Sequence, residues 1–354
     1  MKLGWLVWLL PLGLLGLVVY VGAAAMRDRP HVPAVAPTVV DAGNGSFPRT
    51  LIQDGGREVV IRSRPLRIVP SDCGPADMVA VLVDPSRIAA LPGPVDNYGG
   101  ATEFYAAHPE LPRFQNFNSE TVFSFKPDLV LFTTYRDAAI ATYLETHGVT
   151  VVRFENFKTF DGIRGAMLAI GHALGEDEKT KTVVADFDRR LKAVESAVAG
   201  RKKPRVIGYS NYGTGFVIGG NESQDEVIRR AGGINAAVEM NLSGHVNFTF
   251  EQMLKANPDW IVTFGDEGLN SQQAQFLLNE PTLAGMDAIK QRHIAVVPDR
   301  YYSSISQYIL DAVEILARQL HADAFPAAPP ASSSHPAVKA PESAKSPESS
   351  GRTP

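Results

Sequence analysis

The most constraining feature of the chain is an internal repeat. Residues 120–131 and 251–262 share the same order of parts: a glutamate, a short apolar pattern of helical spacing, a prolyl-aspartate pair and an apolar run. Because a proline disfavours helical backbone at the residue before it, each helix has to end near Lys126 or Asn257, and an extended segment has to follow. The repeat therefore predicts two lobes that are built alike.

Each repeat ends in a continuous apolar run, at residues 129–132 and 260–262. Runs of this kind are typical of central strands that helices cover on both faces, as in parallel sheets. Further short runs recur with each repeat: residues 67–69 match residues 205–207 before the repeats, and residues 149–152 match residues 294–297 after them. We predict an α/β fold of two Rossmann-like lobes with parallel sheets.

Two helical patterns separate the repeats. They cover residues 161–173 and 177–199, with Gly175 as a break and Gly200 as a stop. The second would form a helix of about 35 Å at 1.5 Å per residue, which is long enough to link the lobes and stiff enough to limit their closure. The predicted domains are an N-terminal lobe over residues 51–160, linking helices over 161–200 and a C-terminal lobe over 201–325.

The two ends of the chain differ in composition from the part between them. Residues 3–25 carry no charge and finish in three alanines. This predicts a signal peptide or an inner-membrane anchor over residues 1–25, and hence a periplasmic location. Residues 26–50 are interpreted as a flexible tether, and residues 326–354 as a disordered tail rich in Pro, Ala and Ser.

Composition excludes several classes of protein. A net charge of −4 over 354 residues provides no basic stripe, so nucleic acid is not an expected partner. The single cysteine, Cys73, excludes an internal disulfide framework and a zinc–cysteine cluster. Its position near the end of the first parallel strand predicts a small buried side chain.

The ordered set of motifs resembles a known family. A strand, the first repeat, a long linking helix, a second strand, Gly219-Gly-Asn, the segment 227–235 and the second repeat follow one another over residues 67–321. This order is similar to that of the helical-backbone (class III) periplasmic substrate-binding proteins of ABC importers, the receptors for ferric siderophores, haem and cobalamin. The resemblance implies a clamshell whose lobes are joined by a long backbone helix, with the ligand between the lobes and no enzymatic activity.

The resemblance also assigns a role to the glutamate of each repeat. Receptors of this family carry one glutamate at the top of each lobe, which docks on arginines of the permease; here these would be Glu120 and Glu251. Asn118 and Thr249 each lie two positions earlier and are expected to be N-caps, with the carboxylate in the first helical turn. The alternative is that both glutamates merely complement the helix dipole.

Ligands of open parallel sheets bind beyond the carboxyl ends of the strands. In this sequence those ends place aromatic and arginine side chains at the cleft, since tyrosine offers a flat apolar face with a polar tip and arginine a planar fork for anionic oxygens. Arg136 and Arg300 would otherwise be solvated or paired with Asp137 and Asp299. The candidate ligand-binding residues are Tyr98, Tyr135, Arg136, Tyr212, Phe216, Arg300, Tyr301 and Tyr302.

The ligand implied by the resemblance is a ferric chelate or cobalamin, without a cofactor or a protein-held metal. Haem receptors of the family tend to place a ligating tyrosine shortly before the first docking glutamate, and residues 112–119 contain none. Haem is therefore less favoured, although Tyr98, His108 or Tyr135 would remain as iron ligands. A hexadentate chelator needs no protein ligand on the metal.

Two further functions compete with transport. A hydrolase would use Ser210 as nucleophile and His245 or His293 as base, but the glycines around residues 208–219 match neither a nucleophile elbow nor a dinucleotide-binding loop. A sensory ectodomain would keep the same clamshell attached to the membrane beside a signalling partner. Transport differs from both in requiring a permease that recognises Glu120 and Glu251.

Overall fold

The computed structural model describes residues 38–39, 46–53 and 56–325. The described residues belong to one compact unit. The N-terminal elements, in chain order, are β1 (Thr38–Val39), β2 (Arg49–Gln53), β3 (Arg57–Ile61), β4 (Ile68–Pro70), α1 (Cys73–Leu82), β5 (Leu91–Pro92), α2 (Val95–Tyr98), α3 (Thr102–Ala107), β6 (Arg113–Phe114), α4 (Ser119–Ser124), β7 (Leu129–Thr133), α5 (Ala138–Thr146) and β8 (Thr150–Phe154).

Two helices and the C-terminal elements complete the chain. They are α6 (Phe160–Leu174), α7 (Asp177–Val198), β9 (Arg205–Asn211), β10 (Gly215–Ile218), α8 (Ser223–Arg230), β11 (Ile234–Asn235), α9 (Ala236–Glu239), β12 (His245–Asn247), α10 (Phe250–Ala256), β13 (Trp260–Phe264), α11 (Gln272–Leu278), α12 (Asp287–Lys290), β14 (Ile294–Val297), α13 (Asp299–Tyr302) and α14 (Ile309–Leu320).

The N-terminal lobe contains the predicted parallel sheet, in the order β4-β7-β8. Every residue of β7 is buried, as its continuous apolar run indicated. Strands β5 and β6 form a parallel pair, which an isolated bridge between Ile68 and Ile88 connects to β4. A separate antiparallel sheet, β1-β2-β3, precedes this part of the chain.

The C-terminal lobe contains a sheet of mixed direction. Strands β11, β13 and β14 run parallel to β9 or to each other, but β10 and β12 are antiparallel. The prediction of parallel sheets is confirmed for β9, β13 and β14 and is wrong for the β9–β10–β12 edge. The physical reason is the short turn at residues 212–214, which brings the chain straight back along β9, whereas a parallel neighbour would need a long crossover.

The repeated segments form the same helix–turn–strand unit in both lobes. The Asn118 side chain accepts a hydrogen bond from the Thr121 amide at 2.8 Å, and Thr249 forms a capping box with Gln252, so both predicted N-caps are confirmed. The residues before the prolines differ from the expected extended backbone. Lys126 and Asn257 instead adopt left-handed conformations with φ of 50° and 41°.

An arginine and an aspartate join the end of each repeated helix to the start of a neighbouring strand, β4 in one lobe and β9 in the other. In the N-terminal lobe, Arg67 donates to the carbonyl oxygens of Phe125 and Lys126 at 2.6–3.2 Å, while the Asp128 carboxylate accepts from the Leu66 and Arg67 amides. The free carbonyls at a helix end are thereby satisfied by a cation that the helix dipole favours.

The second lobe repeats this arrangement. Arg205 donates to the carbonyls of Ala256 and Asn257 at 2.8 and 2.9 Å, and Asp259 accepts from the Arg205 amide at 2.8 Å. We call each set the arginine–aspartate clamp, defined by Arg67 with Asp128 and by Arg205 with Asp259. The shared clamp explains why the two repeats keep the same spacing from helix to strand.

Both linking helices lie where the sequence predicted them. Helix α6 is capped by Thr159 and ends at Gly175, whose φ of +75° is left-handed, and Gly200 follows α7 with φ of +71°. At 22 residues α7 is about 33 Å long. Arg190 of α7 forms ion pairs at 2.9 Å with Asp311 and Glu314 of α14, which fixes the linking helix to the C-terminal lobe.

The largest apolar core extends through both lobes. It includes Leu131 of the first sheet, Ile170 and Leu191 of the linking helices, and Leu316 of α14. Smaller clusters cover the outer faces of the two sheets. Because one core is continuous across α6 and α7, the lobes are coupled by packing as well as by the chain.

The predictions for the ends of the chain fall largely outside the described residues. This applies to the signal peptide or anchor at 1–25, to the tail at 326–354 and to most of the tether at 26–50. The tether prediction is wrong for residues 38–39 and 49–50, which form strands, because β1 and β3 both pair with β2. In the part of the chain that the structure describes, no helix has the length and apolarity to cross a bilayer.

Replacing Arg67 with methionine tests the clamp. The variant keeps the apolar stem but removes the hydrogen bonds to the carbonyls of Phe125 and Lys126, so we expect the free energy of unfolding to fall by about 1–2 kcal/mol. Urea unfolding measures this difference. Arg62→Met, at an exposed arginine of the same lobe, is the control and should change little; equal losses in the two variants would contradict the assigned role of the clamp.

Candidate functional site

A cleft of about 390 Å³ lies between the lobes. The N-terminal lobe contributes the start of α1 and the residues after β4 and β7. The C-terminal lobe contributes the loop before α8, part of β12 and the segment around α13. Its lining residues are Asp72, Cys73, Gly74, Asp77, Tyr98, Tyr135, Phe157, Glu222, Ser223, Gln224, His245, Asp299, Ser303, Ser304 and Ile305.

Many of these residues follow the carboxyl end of a strand, where ligands of open parallel sheets bind. Asp72 comes two residues after β4, Tyr135 two after β7 and Asp299 two after β14. Tyr98 ends the single-turn helix α2, which follows β5. The parallel sheets therefore bring side chains that are distant in sequence to one opening.

Three tyrosines present exposed rings at or beside the cleft. Tyr98 is 56% exposed and Tyr135 59%, and both line it. Partial desolvation by the surrounding cleft walls, together with the Glu222 and Asp72 carboxylates, raises the pKa of Tyr135. Tyr212 stacks on Phe264 at 5.2 Å and on Phe216 at 5.8 Å, and burial with nearby Asp299 and Tyr98 raises its pKa to about 12. The phenols of Tyr135 and Tyr212 therefore stay protonated at neutral pH.

Asp72 organises the N-terminal wall of the cleft. Its carboxylate accepts hydrogen bonds from the Ser71 hydroxyl at 2.9 Å and from the Thr133 hydroxyl, and it pairs with the Arg136 guanidinium. The Arg136 guanidinium also lies 5.7 Å from the centre of the Phe117 ring. Arg136 is thus held against the wall by Asp72, and the expected alternative partner, Asp137, instead caps α5.

Asp77 connects the two lobes beneath the cleft. It is 2% exposed and accepts from the Gly100 and Ala101 amides at 3.1 Å, from the Tyr105 hydroxyl at 2.8 Å and from the Ser306 hydroxyl of the opposite lobe at 3.0 Å. Burial raises the pKa of Asp77 to about 6, against the opposing effect of these hydrogen bonds. The inter-lobe contact therefore includes a carboxyl group that titrates near neutrality.

Cys73 begins α1 and is only half-buried, so the prediction of a buried side chain is wrong; α1 starts at the cleft and exposes its first residue there. Burial and the Asp77 and Asp72 carboxylates raise the pKa of the thiol to about 12. The side chain is therefore a neutral thiol at physiological pH, without the thiolate character that reactivity requires.

Several predicted ligand-binding residues lie elsewhere. Tyr302 is 2% exposed and packs in the core, where its hydroxyl fills the space beside Gly208 that a β-carbon would need. Tyr301 is half-buried against the same core. Arg300 pairs with Asp266 at 2.8 Å rather than with Asp299. The structure does not bring these three to the cleft lining, because α13 turns them away from the opening that Asp299 faces.

Phe216 and His108 also differ from expectation. Phe216 reaches the cleft only through its ring contact with His245, at 5.6 Å. His108 contacts Glu110 and the Phe104 ring on the outer surface of the N-terminal lobe and does not line the cleft. Within the described residues, no group of three or more His, Cys, Asp or Glu side chains is arranged to hold a metal ion.

The residues proposed for a hydrolase are not assembled. Ser210 is 4% exposed near the carboxyl end of β9, whereas His293 stacks on Trp260 at 4.4 Å, at the opposite end of the sheet. His245 contacts Phe216, and no hydrogen bond joins it to Ser210 in the described part of the chain. A nucleophile and base in contact are the first requirement of such chemistry.

The glutamates of the repeat are exposed, one on each lobe. Glu120 lies in the first turn of α4 and Glu251 in that of α10. A hydrogen bond from Thr249 lowers the pKa of Glu251. Because each helix leads directly into the amino end of the next strand, its own amino end lies toward the carboxyl edge of the sheet, where the cleft opens.

Comparison with known proteins identifies the family. The model of the family described as periplasmic binding protein matches residues 86–301, which is more than half of the chain. The chain belongs to this family. The family consists of binding proteins rather than enzymes, which agrees with the unassembled hydrolase residues.

Two relatives support the assignment. A cobalamin-binding protein of Halobacterium salinarum is 30% identical over 148 residues; the alignment covers 41% of this chain and 40% of that protein. The chain thus matches about two fifths of the length of that relative. An uncharacterised substrate-binding lipoprotein of an ABC transporter from Bacillus subtilis, YvrC, is 24% identical over 88% of this chain and 96% of its own length.

Solved structures agree on the fold. A periplasmic haem-binding protein from Roseiflexus sp. RS-1, RhuT, aligns with a TM-score of 0.63 at 21% identity and covers 73% of this chain and 99% of its own. A protein of an Fe³⁺-hydroxamate transport system from Saccharomonospora viridis aligns with a TM-score of 0.64 at 21% identity, with 77% and 99% covered. The two-lobed α/β prediction is therefore confirmed.

Sequence reasoning missed part of this periplasmic binding protein's cleft. Asp72 follows β4 directly, so the same rule that selected Tyr135 could have found it. Glu222 lies just after the Gly219-Gly-Asn motif, whose sequence indicates the family but not a ligand-binding side chain. Nothing in the sequence places His245 or the segment 303–305 at the cleft, because they reach it from an antiparallel strand and from a loop after α13.

The titration of Asp77 predicts a pH-dependent stability. The folded pKa of about 6 exceeds the value of about 3.9 expected in the unfolded chain, so the folded state gains a proton first as the pH falls. Relative to Asp77→Asn, the wild-type protein should therefore become more stable by about 2 kcal/mol between pH 7 and pH 4.

Urea unfolding at each pH measures this difference. In Ser306→Ala the same titration should move to higher pH, because a hydrogen bond that favours the carboxylate is lost. Asp287→Asn, at an exposed aspartate, is the matched control. Parallel pH profiles for the wild type and Asp77→Asn would contradict the elevated pKa.

Proposed function

We propose that the protein captures a metal chelate, a ferric siderophore or cobalamin, between its lobes and delivers it to the permease of an ABC importer. The observation that carries the proposal is a cleft bounded by both lobes of a periplasmic binding protein, with the exposed rings of Tyr98 and Tyr135 at its rim. The similarity to a cobalamin-binding protein and to a protein of an Fe³⁺-hydroxamate transport system supports this choice of ligand class.

The side chains at the cleft suit a ligand that brings its own metal coordination. A chelate that already surrounds its metal needs apolar faces and a few hydrogen bonds from the protein, and tyrosine supplies both. The volume of about 390 Å³ lies in the range of small-molecule sites. Haem remains the less favoured ligand, since residues 112–119 contain no tyrosine. Of the other side chains that could bind its iron, His108 lies outside the cleft, whereas Tyr98 and Tyr135 line it.

Delivery depends on recognition of the loaded form. A ligand that contacts both lobes favours the arrangement in which they are closest, and it shifts the open–closed equilibrium by its differential affinity for the two forms. The continuous core and α7 keep that change small. Glu120 and Glu251 would then present a nearly fixed pair of carboxylates to arginines of the permease.

The location follows from the same role. Residues 1–25 would direct the chain across the inner membrane or anchor it there, so that the folded part works in the periplasm. A sensory ectodomain would place the same cleft beside a different membrane partner, and the docking variants below separate the two functions.

Ligand binding is the first expected outcome. At about a hundred times its dissociation constant, a cognate chelate should stabilise the protein by ~2.7 kcal/mol and raise its thermal midpoint. The panel comprises ferric hydroxamate and catecholate siderophores, cyanocobalamin and haemin. Tyr98→Ala and Tyr135→Ala should reduce the shift, whereas Tyr143→Ala, at an exposed tyrosine outside the cleft, should leave it unchanged. No shift with any ligand would contradict the proposed function.

The docking carboxylates provide a second test. Glu120→Ala combined with Glu251→Ala should keep the affinity for the chelate and abolish its uptake in cells, because both contacts with the permease are lost. Glu103→Ala combined with Glu267→Ala removes one exposed carboxylate from each lobe and is the matched control. Normal uptake in the first double variant would refute docking through these residues and favour the sensory function.

A further inference from the structure

Carboxylates line the cleft where the sequence predicts arginines. Among the residues that the structure describes, Asp72, Asp77, Glu222 and Asp299 contribute to the lining, and no lysine or arginine does. The N-terminal wall and the C-terminal wall each contribute two of them. A ligand in this cleft meets carboxylates from both lobes.

The nearest basic side chains are already engaged. Arg136 pairs with Asp72, and Lys158 pairs with Glu222 at 3.2 Å. The remaining candidate arginine, Arg300, pairs with Asp266 at 2.8 Å. An anionic ligand would have to draw Arg136 or Lys158 away and leave the partly buried carboxylate of Asp72 or Glu222 uncompensated, which costs free energy.

The carboxylates are not equally available. Asp77 is buried and its oxygens are occupied by two amides and two hydroxyls. Asp299 accepts from the Ser303 hydroxyl at 2.5 Å, and a carboxylate has further lone pairs to offer. Glu222 keeps acceptor capacity beyond its pair with Lys158. Asp299 and Glu222 are therefore the groups that a ligand can reach.

Aromatic faces provide an independent indication of the ligand. Tyr98 and Tyr135 line the cleft with exposed rings, and Tyr212 is exposed beside them. The negative face of an aromatic ring attracts a cation, and rings together with carboxylates are a recurrent setting for ammonium groups. Both the rings and the carboxylates favour a positively charged group on the ligand.

We propose that the cleft selects a metal chelate that bears a protonated amine, held by Asp299 and Glu222 among the tyrosine rings, and discriminates against strongly anionic chelates. This inference rests on the proposed function and specifies its substrate class. It replaces the expectation that Arg136 and Arg300 would bind anionic oxygens of the ligand. Removing the positive charge of the ligand's amine, without any change at its metal, should therefore weaken binding.

Two ligands that differ only in this charge measure its contribution to binding. Ferrioxamine B is a ferric tris-hydroxamate with a free ammonium tail, and its N-acetyl derivative keeps the same iron core without the charge. By isothermal titration calorimetry the amine form should bind about tenfold more tightly or better, the effect of one charge-assisted hydrogen bond. The advantage should shrink as salt is added, because the interaction is electrostatic.

Variants of the protein show which carboxylates recognise the amine. Asp299→Asn should bring the affinity ratio of the two ligands close to one, and Glu222→Gln provides the same test at a second position. Asp287→Asn removes an exposed carboxylate of the same lobe outside the cleft and should leave the ratio unchanged.

The outcomes separate this inference from the proposed function. Equal affinities for the two tris-hydroxamates would overturn the inference and leave the proposed function intact, as would tighter binding of a ferric tris-catecholate. Binding of cyanocobalamin with no response to the tris-hydroxamates would also overturn it, since the cargo would then be a corrinoid without the free amine. Binding of no chelate or corrinoid would refute the proposed function itself.

Discussion

The arginine–aspartate clamp is the interaction on which both lobes depend. In each repeat the helix has to stop, reverse and enter a buried strand within a few residues, and left-handed Lys126 and Asn257 make that turn before a proline. The clamp satisfies the carbonyls that the helix end exposes and ties the same turn to the neighbouring strand through Asp128 or Asp259. The clamp thereby fixes where β7 and β13 begin relative to the neighbouring strands of their sheets, and so where their carboxyl ends lie.

The position of each strand in its sheet has a functional consequence at the carboxyl end. The residues that follow β4 and β7 emerge side by side because these two strands are parallel and in register, and those that follow β14 emerge at the carboxyl end of the parallel strands in the other lobe. The linking helices and a shared core hold this opening against its counterpart, while Asp77 and Ser306 connect the lobes below it. The cleft is consequently preformed, and recognition needs only a small adjustment of the lobes.

The sequence predicted much of the fold and a smaller part of the site. Proline, glycine and capping residues act locally, so the ends of α4, α6, α7 and α10 could be placed from the chain alone. Tyr98 and Tyr135 are predicted by the rule that ligands bind beyond the carboxyl ends of parallel strands. The same rule predicts Tyr302 at the cleft, but Tyr302 lies in the core, because a single helical turn decides which side chains of α13 face inward. The ion pairs of Arg136 and Arg300 were not predictable, since Asp72 and Asp266 come from other strands.

The sequence alone determined the duplicated α/β plan, the position of the linking helices and the glutamate at the start of each repeated helix, because these depend on spacing within short segments. Only the tertiary structure decided the charge of the cleft. Whether an arginine is free to bind a ligand depends on which carboxylate lies beside it after folding, and here both candidate arginines, Arg136 and Arg300, have such a partner. The arginines that the sequence offers for anionic oxygens of a ligand are therefore already paired after folding, and carboxylates line the cleft instead.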